Sequence, residues 1–172
     1  MFYLKCSSKV LARARLKKES TAVAAHTPAT LGNWCVTMFQ IDGTNVFVYM
    51  SERTLLSFML TEGERLTPEK LYTAFQNGLY QTLKMEDFTA QEIDRLLDEH
   101  DLAMISRLDN ASVTGMLTAI AECYRYLIED AGGLRTCSIG GIVHHVNSTP
   151  RKPIGYAFPV NAARELVRGA AT

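Results

Sequence analysis

No stretch of this sequence is apolar for long enough to cross a membrane. The longest apolar run is Val46-Phe47-Val48-Tyr49-Met50, of strand length, where a spanning helix needs about 18 apolar residues. The start, Met1-Phe2-Tyr3-Leu4-Lys5-Cys6, lacks the basic stretch and apolar run of a secretory signal. The expectation is a soluble protein of the cytoplasm with no membrane partner. Cysteine is sparse: Cys6, Cys35, Cys123 and Cys137 are far apart and form no Cys-x-x-Cys pair, so they read as reduced thiols, partly in the core. Neither sign of charge is in excess, because 18 Lys and Arg balance 18 Asp and Glu. That balance argues against a DNA-coating protein and against an acidic DNA mimic. Also missing are Gly-x-Gly-x-x-Gly, a P-loop, a Gly-x-Ser-x-Gly elbow and His-Glu-x-x-His, which removes the common nucleotide-binding and hydrolase architectures. No cofactor and no metal site is expected.

What is present is a globular balance, 47% hydrophobic and 21% charged over 172 residues, enough for one domain with a real core. The charge is unevenly distributed along the chain. The first eighteen residues carry Lys5, Lys9, Arg13, Arg15, Lys17 and Lys18 and no acid. Acids gather later, with Glu86, Asp87, Glu92, Asp94, Asp98, Glu99 and Asp101 opposed only by Lys84 and Arg95.

Periodicity and caps give an α+β reading over residues 1–172, with a small, mostly antiparallel sheet built on a central hairpin and covered by helices. Phe2 to Lys5 reads as a strand, followed by a helix capped at Ser7 or Ser8 and running to about Lys18. Ser20 to Thr30 reads as a loop. Trp34 to Ile41, the turn Asp42-Gly43-Thr44-Asn45 and Val46 to Met50 form the hairpin. Leu55 to Leu60 is a strand or a short helix. Thr67-Pro68 opens a helix with Leu71, Phe75, Leu79 and Leu83 inward, and Thr89 to Glu92 is a capping box. Leu102 to Leu108 is a strand. Asp109 or Asn110 caps the longest helix, which Gly132-Gly133 ends. Two shorter helices follow, the first through Ile142 to Asn147 and the second from Pro159.

Leu31-Gly32-Asn33-Trp34, Asn45 to Met50 and Glu52-Arg53-Thr54-Leu55-Leu56 form a recognisable series. So do Ser112-Val113-Thr114-Gly115, Asn147-Ser148-Thr149-Pro150 and Gly155-Tyr156-Ala157-Phe158-Pro159. On these motifs the chain resembles a domain family of unknown function found in small bacterial proteins. The resemblance spans nearly the whole chain and implies one domain and no established activity. The family tends to carry Asp where Asn33 stands and a polar pair where Thr118 and Ala119 stand.

Few constellations could carry chemistry. Glu52-Arg53 at a sheet end could serve as acid and anion clamp, or as a structural ion pair. His144-His145, near Cys137 and Asn147, could supply a base; adjacent helical positions point about 100° apart and do not share a metal. Cys137 to Gly141 is glycine-rich and reads as a closely packed helix rather than a phosphate cradle. Asp98-Glu99-His100-Asp101 reads as a solvated helix end, and Trp34 as a core residue. Lys9, Arg13 and Lys17, spaced i, i+4 and i+8, form a basic stripe with Arg15 and Lys18 beside it. It could bind phosphates, extended by Arg151-Lys152, Arg164 and Arg168 if the termini meet.

Three functional readings follow. The first is a non-enzymatic interaction or regulatory protein, of the kind mobile elements carry, that docks a protein partner or itself as a homo-oligomer. Exposed apolar residues among Leu55 to Leu60 would favour it. The second is a weak, non-specific nucleic-acid binder using Lys9, Arg13, Arg15, Lys17 and Lys18. The third is an enzyme using Glu52, Arg53 and His144 or His145, which requires those groups to converge.

Overall fold

The first strand, β1 (Phe2–Cys6), forms where five residues place Phe2, Leu4 and Cys6 on one pleat face, all buried. A computed structural model describes residues 1–17, 21–63 and 65–169. Lys18 and Ser20, named in the expected first helix and loop, lie outside the described residues. Helix α1 (Ser8–Arg13) is much shorter than the sequence suggests. Arg15 turns left-handed at φ 55, the Arg15 N–H bonds the Ala12 carbonyl and the Leu16 N–H bonds the Leu11 carbonyl. These two bonds make a Schellman stop, and Leu16 packs back on the core. Ser7 flanks the helix but its side chain caps nothing.

The hairpin forms as expected, β2 (Trp34–Ile41) and β3 (Thr44–Ser51). The turn is tighter than four residues: Ile41 pairs with Thr44 across Asp42 (φ 51) and Gly43 (φ 73). Two positive φ angles make it a type I′ turn, whose twist matches the strands. The Leu55–Leu60 region resolves as strand β4 (Ser57–Thr61). Helices α2 (Pro68–Met85) and α3 (Ala90–Glu99) follow, then β5 (Ala103–Arg107). Helices α4 (Ala111–Asp130), α5 (Ile139–Asn147) and α6 (Pro159–Gly169) complete the fold. The caps at Thr67 and Thr89, with its capping box, form as expected, and of the two expected caps of α4 it is Asn110 that accepts; each takes a first-turn N–H.

The fold is α+β, but its sheet is mixed rather than mostly antiparallel. Strand order is β4-β3-β2-β1-β5. Pairs β2–β3 and β3–β4 are antiparallel, while β1 lies parallel to both β2 and β5. The physical reason is connectivity. Hairpin turns reverse the chain, whereas the segments through α1 and through α2–α3 carry it back along the sheet before the next strand starts.

One sheet face carries Phe2, Trp34, Tyr49 and Phe58, whose rings meet Phe75 of α2. The Tyr49 hydroxyl donates to the Leu71 carbonyl at 3.1 Å. The opposite face carries Phe39 and Ser57 under α4, where Arg125 sits 4.8 Å from the Phe39 ring and Tyr124 Oη lies 2.9 Å from Ser57 Oγ. Helix α5 bridges α4, β4 and α2. At the edge strand β4, the Asn147 side chain imitates a missing strand: its Oδ1 accepts from the Ser57 N–H at 2.9 Å and its Nδ2 donates to the Ser57 carbonyl at 2.7 Å.

Two substitutions test this packing. A Cβ at Gly78 would lie 2.3 Å from Phe58 Cε2, and that ring is stacked on Tyr49 with 5.0 Å between centroids. Gly78→Ala should therefore cost about 1–3 kcal/mol from overpacking, despite a helix-propensity gain of about 1 kcal/mol. Asn147→Ala strands two buried backbone groups and should cost about 2–4 kcal/mol. Urea unfolding midpoints measure both; a Gly78→Ala variant as stable as wild type would contradict the ring contact.

Candidate functional site

The two segments Leu31–Trp34 and Glu52–Leu56 meet at the open end of the hairpin, and their chemistry is largely structural. The Ser51 hydroxyl donates to the Leu31 carbonyl at 2.7 Å, and the Glu52 N–H donates to the Asn33 carbonyl at 3.0 Å. Gly32, at φ 76, leaves room for Arg53: a Cβ there would lie 2.6 Å from Arg53 Cγ. Arg53 Nη1 then donates to the Thr30 carbonyl at 3.1 Å. Asn33 Oδ1 accepts from the Tyr3 N–H and its Nδ2 donates to the Ala25 carbonyl, both at 3.0 Å. An Asp here, as the resembled family tends to have, would keep the first bond and lose the second. Thr118 and Ala119 are exposed on α4, and the Thr118 hydroxyl bonds the Thr114 carbonyl of its own helix.

Glu52 is held by Lys5, whose Nζ bonds both carboxylate oxygens at 2.8 and 2.9 Å. The Cys35 thiol points at Glu52 Oε1 from 3.7 Å. Burial first, and the Glu52 charge second, push this thiol well above the usual cysteine range, so it stays protonated and is a poor nucleophile. All four cysteines are free, with Cys6 and Cys35 buried.

His144 and His145 point to different surroundings, as adjacent helical positions must. His144 Nδ1 bonds Glu86 at 3.0 and 3.1 Å, joining an exposed ring to a buried carboxylate. His145, turned about 100° from His144 around α5, lines a small pocket with Cys123 and Arg151. No hydrogen bond or ion pair among the described residues links Glu52 or Arg53 to either histidine.

The basic segment is broken up in three dimensions. Since α1 ends at Arg13, Lys17 leaves the stripe that Lys9 and Arg13 begin. Arg13 Nε reaches Glu62 at 3.0 Å, and Lys5 is taken by Glu52. Arg168 pairs with Glu92 at 3.3 Å, and Arg164 donates to the Glu86 carbonyl, so the C-terminal basic residues serve α2 and α3 rather than extending the stripe.

The acidic end of α3 departs most from expectation. Asp98 and Asp101 are exposed, but Glu99 accepts from the Thr30 N–H and hydroxyl at 2.6 and 2.9 Å, and His100 is fully buried. Its Nδ1 lies 2.7 Å from the Leu96 carbonyl, and Trp34 Nε1 donates to its Nε2 at 3.3 Å. That pattern fixes the neutral Nδ1–H tautomer. Phe2 and Phe75 pack on the ring at 4.8 and 5.8 Å. The signal was the helix period itself: Ile93, Leu96 and His100 fall on one face.

A further feature is a crevice of about 320 Å³ between α2, α5 and β4, lined by Phe58, Met59, Leu60, Gly78, Met85, Ile139, Gly140 and Val143 among others. The exposed apolar residues among Leu55 to Leu60 that would have favoured docking there are not found, because Leu55 to Met59 are buried. Apolar surface appears instead at the lips, where Met85 and Ile139 are 38% and 39% exposed. Gly140 lets the walls approach, since a Cβ there would touch Met85 Sδ at 3.3 Å. Among the described residues no helix is long and apolar enough to span a membrane, and no group of three His, Cys, Asp or Glu could hold a metal.

A mixed five-stranded sheet with α2 and α3 on one face and α4 on the other, tied by the 31–34 and 52–56 knot, defines this α+β fold. Residues 3–162 match the family described as a domain of unknown function, DUF6933, and the chain belongs to that family. Among curated proteins, none matches the chain.

The buried imidazole makes stability depend on pH. Burial holds His100 below the ordinary imidazole range, with the chain's α-amino group adding to it, against the Leu96 and Gly32 carbonyls and Glu99. The unfolded chain therefore takes up this proton near pH 6.5 while the folded protein resists it. Stability is unaffected above that pH and falls as the pH drops below it. His100→Gln should flatten this acid limb of a denaturation-midpoint-against-pH curve; an unchanged limb would show that another group controls it.

Proposed function

We propose that this protein is a non-enzymatic interaction protein whose docking site is the crevice between α2, α5 and β4. Its occupant is an uncharged apolar side-chain anchor presented by a protein partner. The observation that carries this reading is the lining. It is apolar apart from Gln81 and Thr82, holds no charged residue, and opens between two partly exposed apolar lips, Met85 and Ile139. A groove without charge favours an apolar knob over a polyanion or a charged peptide, and methionine at its mouth adapts to irregular shapes. The engagement of Glu52 by Lys5, of Arg53 by the Thr30 carbonyl and of His144 by Glu86 supports docking over catalysis by those residues. The pairing of Arg13 and Lys5 with carboxylates supports it over phosphate binding along α1.

The paired substitution Met85→Glu with Ile139→Asp should leave folding intact, since both side chains are partly exposed. A photo-crosslinking residue placed at Gln81 should join wild type to a discrete partner, and the double variant should lose that adduct. If the occupant were a second copy, sedimentation would show a wild-type dimer that the variant lacks. Equal crosslinking in both proteins would overturn the crevice as the docking site.

A further inference from the structure

We infer that the pocket between the C-terminal half of α4 and the end of α5 binds an oxyanion, the phosphate or carboxylate group of a small molecule, with Arg151 as its anchor. The pocket, of about 180 Å³, is lined by Cys123, Tyr126, Leu127, His145, Thr149 and Arg151 along with Val146. Arg151 is half-buried, always charged, and carries five N–H donors. Its contacts within the protein are poor. Among the described residues Nη1 meets only the Cys123 sulfur at 3.8 Å, Nη2 reaches the Val146 carbonyl at 3.4 Å, and the buried Nε has no acceptor. No carboxylate pairs with it there, whereas Lys5, Arg13, Arg125 and Arg168 each have one.

A partly desolvated guanidinium without an anion is costly unless a ligand supplies the charge. The pocket offers further groups able to donate to such a ligand, the Tyr126 phenol and the His145 imidazole. Leu127 gives it an apolar wall. Glu122, next to Cys123 on α4, is engaged by Arg125 at 3.7 Å. Arg151 is also held in place by its backbone: its N–H donates to the Ala157 carbonyl at 3.1 Å and its carbonyl accepts from the Tyr156 N–H at 2.9 Å. That turn closes through Gly155 and Tyr156, both at positive φ, 68° and 62°. The guanidinium is thus presented from a fixed turn, as anion recognition requires. The site is independent of the crevice between α2 and α5.

The test is an amide-resolved NMR titration of the full chain in chloride buffer with three probes: inorganic phosphate, phenyl phosphate and benzoate. The expected result is a saturable shift confined to residues 123–127 and 145–157, with a Kd of about 1 mM or tighter for at least one probe. Tighter binding of phenyl phosphate assigns a phosphate ligand, and tighter binding of benzoate a carboxylate. Arg151→Met, which keeps the stem and the turn, should weaken binding at least about tenfold. Should that variant fail to fold, Tyr126→Ala and His145→Gln, both at exposed positions, replace it, and each should weaken binding. The absence of a saturable shift with any probe, or unchanged affinity in the variants, overturns the proposal.

Discussion

The bond from Trp34 Nε1 to His100 Nε2 ties together elements that are remote in sequence. It joins β2 to the C-terminal end of α3 across 66 residues, inside a ring cluster that also contains Phe2 of β1 and Phe75 of α2. An indole can only donate, so the imidazole must accept and must stay neutral. Protonation would place two donors face to face in a buried, largely apolar setting. The position of α3, and through it the Glu99 grip on Thr30, depends on this arrangement. So does the loop before β2, whose Asn33 anchors Tyr3 of β1. The parallel seam between β1 and β2, which makes the sheet mixed, lies beside this knot.

The charge segregation of the chain has a related outcome. In sequence the N-terminal residues are basic and the 86–101 region acidic, which suggests two poles. In the folded protein many of these charges are engaged singly: Lys5 with Glu52, Arg13 with Glu62, Arg168 with Glu92, and Glu86 with His144. Such partly exposed pairs contribute little stability each, but they tie single residues of the basic and acidic segments to acids and bases elsewhere in the chain. What the surface retains is more local, an uncharged apolar crevice on one side of α5 and an under-paired guanidinium beside the other.

Local signals proved strong where the physics is local. Caps at Thr67, Thr89 and Asn110, the Asp42-Gly43 turn and the apolar stripe of α4 depend on a few neighbouring residues, and each was legible. The first helix is shorter than its sequence suggests because its end depends on Leu16 packing back onto the core, which lets Arg15 adopt the left-handed stop. The candidate site was barely legible. Glu52, Arg53 and His144 were visible as chemical groups, but their partners Lys5, Thr30 and Glu86 come from distant segments. The acidic neighbours of His100 suggest a solvated helix end, but its spacing from Ile93 and Leu96 places it on the buried face.

By itself, the sequence determined most of the element types and their limits, the hairpin and the family, because periodicity, capping and turn chemistry act over a few residues. Only the tertiary structure decided that the sheet is mixed, that the basic stripe is broken, that His100 lies in the core, and that Arg151 faces a pocket without a counter-charge. Those outcomes depend on which remote segments come into contact, and a contact between distant residues leaves no period or spacing in the chain.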